Sequence, residues 1–282
     1  MDLQNWQRKA NKLPKCCALF AEPFHVLTVT LFSLSIPLSF LLLARLSCYY
    51  FIATDTFDPQ KPSSSFLFSS VLYANSAILY LIVSIVGLAT LVHSLTGGIF
   101  LLSDAPSRIY RPCLRTAWIT LCILQFCVGS GIEESIAFGI EGYSFRNERS
   151  LLSRIIFFLG LHETMLLWSR AVVKPIIDDT VFGVSTDETW VQRVAMALAF
   201  GTLWWCRLRD EVDSLVIIAG AKIELVTPVS VWDLIGWWLY YLTVTIGMVR
   251  VVKGLMWVGT VLLCRRVRDE NSGDPEGNEE KV

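Results

Sequence analysis

Two pairs of ionisable residues, Glu133-Glu134 and His162-Glu163, lie inside strongly apolar stretches. A charge at bilayer depth costs about 2.5–3.5 kcal/mol on insertion scales, so such groups are paired, protonated or kept wet. Glu and His in series can titrate, which is the chemistry of a proton- or cation-linked path. The same residues could instead form a structural network, with Glu133 or Glu163 answered by an arginine from a neighbouring span. Arg170, seven residues after Glu163, belongs to the same expected polar cluster. A third reading, a metal-dependent enzyme, lacks its spacing. His162 and Glu163 are adjacent, so Glu-x-x-His is absent, and Leu166 stands where His-Glu-x-x-His needs its second His. No metal or cofactor is expected.

The elements that hold these residues follow from hydropathy. The chain has 282 residues, 54% hydrophobic and 17% charged. Its mean hydropathy is +0.53. Soluble domains carry roughly 25% charged residues, and the deficit here is concentrated in long apolar runs. The expected fold is all-α: a polytopic transmembrane helical bundle of about six spans over residues 23–264. A basic segment, 1–22, precedes it, and an acidic, disordered tail, 265–282, follows.

The spans are expected at Phe24–Ile52, Phe66–Leu91 or on to Leu102, Thr116–Ile140, Leu151–Val173, Trp190–Cys206 and Ser230–Val249. Pro37 should kink the first, and Arg45 should snorkel from its far end. Lys174-Pro175 should stop the fourth. The fifth is short for a hydrocarbon core of about 30 Å. After it, Arg207/Glu211 and Arg209/Asp213 are i,i+4 partners on a helix expected to run on into water. Ser230 and Asp233 form a variant capping box. Leu255–Cys264 either prolongs the sixth span or forms a separate interfacial helix. Trp232, Trp237, Trp238, Tyr240 and Tyr241 suit an aromatic belt.

Depth counting brings Glu133-Glu134 and His162-Glu163 within about one turn of each other in an antiparallel hairpin of spans 3 and 4. Cys122, Gln125, Gly129 and Glu133 form a polar stripe expected to face the bundle. Glu163, Arg170 and Lys174 share one expected face of span 4.

Charge sets the orientation. Arg8, Lys9, Lys12, Lys15, Arg108, Arg111, Arg115, Arg170, Lys174, Arg193, Arg265, Arg266 and Arg268 flank one side. Arg45, Lys61, Arg146, Arg149, Arg154, Arg207, Arg209 and Lys222 flank the other. The excess places both termini in the cytoplasm. The first apolar stretch is too long for a cleaved signal and is expected to be an uncleaved anchor. Cys16-Cys17, on a basic segment at the membrane boundary, are S-acylation candidates. The other six cysteines lie in or beside apolar segments and read as small hydrophobes. Asp178, Asp179, Asp187 and Glu188 read as a solvated loop, with a hard-cation site as the alternative.

A net charge of −1 argues against a nucleic-acid partner. The expected partners are the lipid bilayer and a membrane protein or second copy of this chain, in the secretory pathway or plasma membrane. No phosphate loop, dinucleotide fingerprint or nucleophile elbow occurs. Glu133-Glu134 is similar to the paired glutamates of intramembrane prenyl-protein proteases, but Phe138 stands where those enzymes carry an arginine. The run Leu161-His-Glu-Thr-Met-Leu-Leu-Trp-Ser-Arg170, on to Lys174-Pro-Ile-Ile-Asp-Asp-Thr-Val-Phe-Gly183, resembles land-plant multi-pass membrane proteins of unassigned function. So does Gly236-Trp-Trp-Leu-Tyr-Tyr-Leu-Thr-Val-Thr-Ile-Gly-Met-Val-Arg250. That resemblance implies a membrane bundle and no activity. The expected function is a transporter, channel-like or membrane-organising protein. The alternatives are a non-catalytic structural or interaction protein and an intramembrane enzyme.

Overall fold

The computed structural model describes residues 22–55, 66–96, 111–137, 151–182, 188–224 and 229–271. Cys16-Cys17, the basic segment before residue 22, the Glu141–Ser150 connection and the tail beyond Asn271 lie outside these. So does the side chain of Glu134. Every element among the described residues is helical. They are α1 (22–33), α2 (Ser35–Asp55), α3 (Phe66–Thr96), α4 (Arg111–Ala137), α5 (Leu151–Trp168), α6 (Trp190–Leu203), α7 (Ser214–Glu224) and α8 (Val231–Asn271). Five stretches are long and apolar enough to cross a membrane: Glu22–Phe51, Ser76–Ser94, Leu114–Glu133, Leu151–Val181 and Val231–Arg265. The protein is an all-α helical bundle, of a composition compatible with membrane embedding.

The run of α1 into α2 breaks at Leu34, three residues before Pro37. Proline has no N–H to offer the carbonyl of residue i−4, here Ser33. The backbone closes around that gap through Leu34 N–H to Thr30 O (3.1 Å) and Leu38 N–H to Leu34 O (3.0 Å).

Lys174-Pro175 does not end the fourth span. A π-helical turn, Ser169–Val173, precedes it, and Lys174 N–H reaches back to Ser169 O. The wider turn relieves the clash that Pro175 would make in a regular helix, and helix continues through Lys174–Ile177 to Phe182. A second π turn, Asp178–Phe182, ends that run, and a third, Trp204–Leu208, lengthens α6 toward Arg209–Glu211.

Contacts fix the direction of every pass. Residue numbers on α5 and α8 rise together: Ser153 meets Tyr240 (3.5 Å), and Glu163 meets Arg250. These helices are parallel. Numbers on α5 and α6 run oppositely, since Ser169 meets Met196 (3.4 Å) and Phe158 meets Phe200 (5.1 Å). Asp213, beyond α6, then reaches Arg154 (2.9 Å). The segment from α6 to Asp213 therefore returns across the depth that α5 descends between Arg154 and Ser169, about 22 Å at 1.5 Å per residue. It traverses the bundle once more, fifth in chain order, although Arg193, Arg207 and Arg209 keep it less apolar than the five membrane-length stretches. α1 and α2 run antiparallel to α5, through Phe32 O to Trp168 (3.3 Å) and Phe40 on Phe157 (5.8 Å). Passes alternate along the chain, so residue 22 and the end of α8 lie on one side.

α8 is one continuous helix of 41 residues, which resolves the two readings of Leu255–Cys264. Gly160 and Gly247 let it press on α5. A Cβ at Gly160 would stand 1.9 Å from Thr243 O, and one at Gly247 2.0 Å from Ile156 O. The middle of the bundle is aromatic: Phe157 stacks on Tyr240 (4.8 Å), and Phe158 packs on Trp204 (5.2 Å). Tyr240 is thus a core residue rather than a belt residue, whereas Trp237, Trp238 and Tyr241 are exposed.

Candidate functional site: the interior charge pairs

Charged and histidine side chains buried among the described residues are His25, Arg45, Asp178, Glu211, Asp213, Lys222 and Asp233. Each has an opposite partner. Arg45 donates from Nε to Glu211 Oε2 (2.6 Å) and from Nη2 to Oε1 (3.0 Å), a bidentate fork. Its Nη1 donates to Ser135 Oγ (2.9 Å). This side chain does not snorkel: α4 and the helical turn Arg209–Glu211 beyond α6 close over it and supply its acceptors. Ser214 Oγ donates to Glu211 O (2.6 Å) and sits 3.3 Å from Ala44 O, tying the start of α7 to α2.

Arg154 joins Asp213 (2.9 Å), and Lys222 joins Asp233 (2.8 Å). Asp233 also accepts from Ser230 N–H (3.1 Å), completing the expected capping box at the start of α8. Glu211 and Asp213, the expected i,i+4 partners of Arg207 and Arg209, turn instead to Arg45 and Arg154. The π turn at Trp204–Leu208 swings Glu211 and Asp213 inward, and Arg209 binds Asp210 (3.1 Å) while lying over the Trp205 ring. The run expected to leave the membrane thus supplies two acids of the interior.

At the other end of the bundle, His25 meets Asp178 (2.6 Å). Beside it, Glu188 bridges Arg170 (3.0 Å) and Arg193 (3.1 Å). Burial pushes the Glu188 carboxyl up, but hydrogen bonds and charge from Arg170 and Arg193 outweigh it and hold the group below its usual value. Asp178 and Glu188 are therefore committed to protein partners, while Asp179 is exposed. No group of three His, Cys, Asp or Glu placed to hold a metal occurs among the described residues.

Of the five expected cluster residues, the four whose side chains are described, Glu133, His162, Glu163 and Arg170, do not form one cluster. Glu163 is bonded to Arg250 of α8, and each is about one third exposed, 37% by side chain. His162 packs on Phe158 and Phe200 (6.3 and 5.5 Å). Arg170 belongs with Glu188, because it sits in the first π turn, and the inserted residue turns it off the face of Glu163. Glu133 is exposed and lies two residues before Ser135, at the level of Arg45 and Glu211. Glu163 is nine residues along α5 from Arg154, which belongs to that same layer, about 14 Å away by helical rise. The expected depth match therefore fails.

The polar stripe on α4 is likewise rotated. Its bundle face is Leu121, Leu124, Val128, Gly131 and Ser135, whereas Gly129 and Glu133 are exposed. Apolar packing on α2 chooses that face, and Gln125 is left at its margin with Oε1 buried and unbonded among the described residues.

An open apolar groove of about 660 Å³ runs between α3, α4 and the continuation of α5, lined by Ile82, Ile85, Leu121, Leu124, Trp168 and Ile176 among others. None of its lining residues is charged. The paired acids do not open onto it. Sequence signals for the interior pairs were weak: Arg45 stood inside an apolar run, and Glu211 and Asp213 stood next to basic residues that looked like sufficient partners. Comparison with protein-family models, curated proteins and solved structures gives no match to this chain.

Proposed function

We propose that this protein is a non-catalytic integral membrane protein that acts by binding other membrane components. One observation carries the reading: every charged side chain buried among the described residues is answered by a partner within the bundle, and the groove described above is uncharged. A translocation path needs ionisable groups that change partner or meet water. Bidentate Arg45–Glu211, with Ser135 as a third acceptor, holds a fixed geometry instead. Breaking buried pairs one member at a time tests this. Glu211→Gln and Asp213→Asn should each lower thermal stability in detergent, and neutralising the partner as well should restore part of the loss. Unchanged or raised stability in both single variants would contradict the reading.

A second reading, a proton- or cation-linked transporter, draws on Glu163 and His162. Glu163 is partly exposed, lies between the two polar layers and neighbours a histidine. A secretory-pathway or plasma-membrane location fits both readings.

A further inference from the structure

α8 is the least covered of the five membrane-length stretches. Only 11% of it is buried, against 22–61% for the other four. Its second half parts from α5, whose continuation, Lys174–Phe182, packs on α4. Beyond Lys253 it is apolar and open, with Leu255, Met256, Trp257, Leu262 and Leu263 each at least 60% exposed.

Charge marks the start of this open face. Arg250 bonds Glu163 on α5, and Lys253, one turn further along α8, reaches the carbonyl of Ser94 on α3. Glu163 and Lys253 therefore flank α8 on opposite sides, within about 4.5 Å of the same depth. Glu163 and Arg250 are each partly exposed, and Lys253 is exposed. Lys253 has no carboxylate partner among the described residues, whereas Glu163 accepts from Arg250 through Oε2 alone. By register this patch lies between the Arg154–Asp213 layer and the His25–Asp178 layer. From Lys253 to Arg265, at the end of the apolar run, is about 18 Å of helix, too far for a lysine to snorkel. A lipid phosphate belongs at the level of Arg265, not of Lys253. A cation at this depth is answered by an anion at the same depth, which another protein surface can supply.

We propose that this face of α8 binds a second copy of the chain. The patch carries both signs and is complementary to itself, which an acyl chain is not. A two-fold axis along the membrane normal preserves depth and exchanges the two flanks of α8 across the contact. Lys253 of one copy then faces the partner's Glu163, and the same pair forms a second time by symmetry. Each Glu163 joins Arg250 of its own copy and the partner's Lys253, as Glu188 joins Arg170 and Arg193 within one copy. The apolar residues beyond Lys253 pack against their own equivalents. This inference rests on the reading that the protein binds membrane components, and names the component.

Two measurements on the full-length chain in membranes test it. Single-molecule photobleaching of the labelled chain in liposomes should count two copies. Lys253→Gln should weaken association roughly a hundredfold, tenfold for each of two symmetric charge-assisted contacts. Lys253→Arg should keep it. Arg209→Gln, a cation in the opposite polar layer, should leave it unchanged. In the second measurement, a copy carrying Lys253→Cys is co-expressed with a differently tagged copy carrying Glu163→Cys. That mixed dimer retains one native Lys253–Glu163 contact. Oxidation should join the two tags by a disulfide, more than it joins the Lys253→Cys copy to a wild-type copy. A monomeric wild type would overturn the proposal and give the face to lipid or to another protein. So would unchanged association of a folded Lys253→Gln variant, or no disulfide above the wild-type control. The wild-type count decides even if Lys253→Gln fails to fold. Failure here leaves the stability results on Glu211 and Asp213 untouched.

Discussion

Arg45 and Glu211 are 166 positions apart in the chain and form a two-pronged, buried ion pair. Removing one member strands a charge away from water, which costs about 3–5 kcal/mol, whereas replacing both with apolar groups of like volume is often neutral or stabilising. Arg45→Met and Glu211→Met should each unfold the protein at much lower temperature in detergent. The double variant should recover most of the loss. Circular dichroism melts of the four proteins measure the coupling, and additive losses would refute it.

Gly160 and Gly247 are positions where the backbones of α5 and α8 meet with no room for a Cβ. Gly160→Ala or Gly247→Ala should separate the helices and cost on the order of 1–3 kcal/mol, as overpacking does. Gly254 has nothing within 4 Å of its would-be Cβ, so Gly254→Ala should be neutral. Equal melting temperatures for Gly160→Ala and Gly254→Ala would sink the close-packing account.

Much of this architecture is written in the sequence, and the reasons for the exceptions are physical. Apolar runs of span length located the five long helices, because membrane-type burial needs length and little else. Ser230 and Asp233 announced the start of α8 through local hydrogen bonding. Pairing was not legible. Arg45 finds Glu211 only after three π turns and four reversals of direction, and no local rule encodes a π turn. Glu133 drew attention as a charge inside an apolar run, yet helix rotation leaves it outside the bundle.

Glu188 gives the fold a pH dependence with a definite sign. Its carboxyl is held below the usual range in the folded protein by Arg170 and Arg193, against the effect of burial. A carboxyl depressed on folding stabilises at pH above its unfolded value, about 4.3, and loses that contribution as pH falls through the folded value. Glu188→Gln should therefore narrow the stability difference between pH 7 and pH 3, measured by melting at each. A wild-type protein more stable at pH 3 through this site would contradict the pairing.

Alternating passes put residue 22 and the end of α8 on one side, and the excess of Arg and Lys there predicts that this side faces the cytoplasm. Tags fused at the two termini should both be digested when protease is added outside sealed microsomes. Opposite fates for the tags would mean that the segment from α6 to Asp213 does not cross.

The central claim is that the interior charges hold the bundle together and do not conduct. Proton flux into liposomes containing the purified full-length chain, driven by a potassium diffusion potential and read with an internal pH-sensitive dye, tests it most directly. Wild-type and Glu163→Gln proteoliposomes should both leak no faster than empty liposomes. A wild-type flux above that background, abolished by Glu163→Gln in a protein that still melts cooperatively, would contradict the account and make Glu163 part of a transport path.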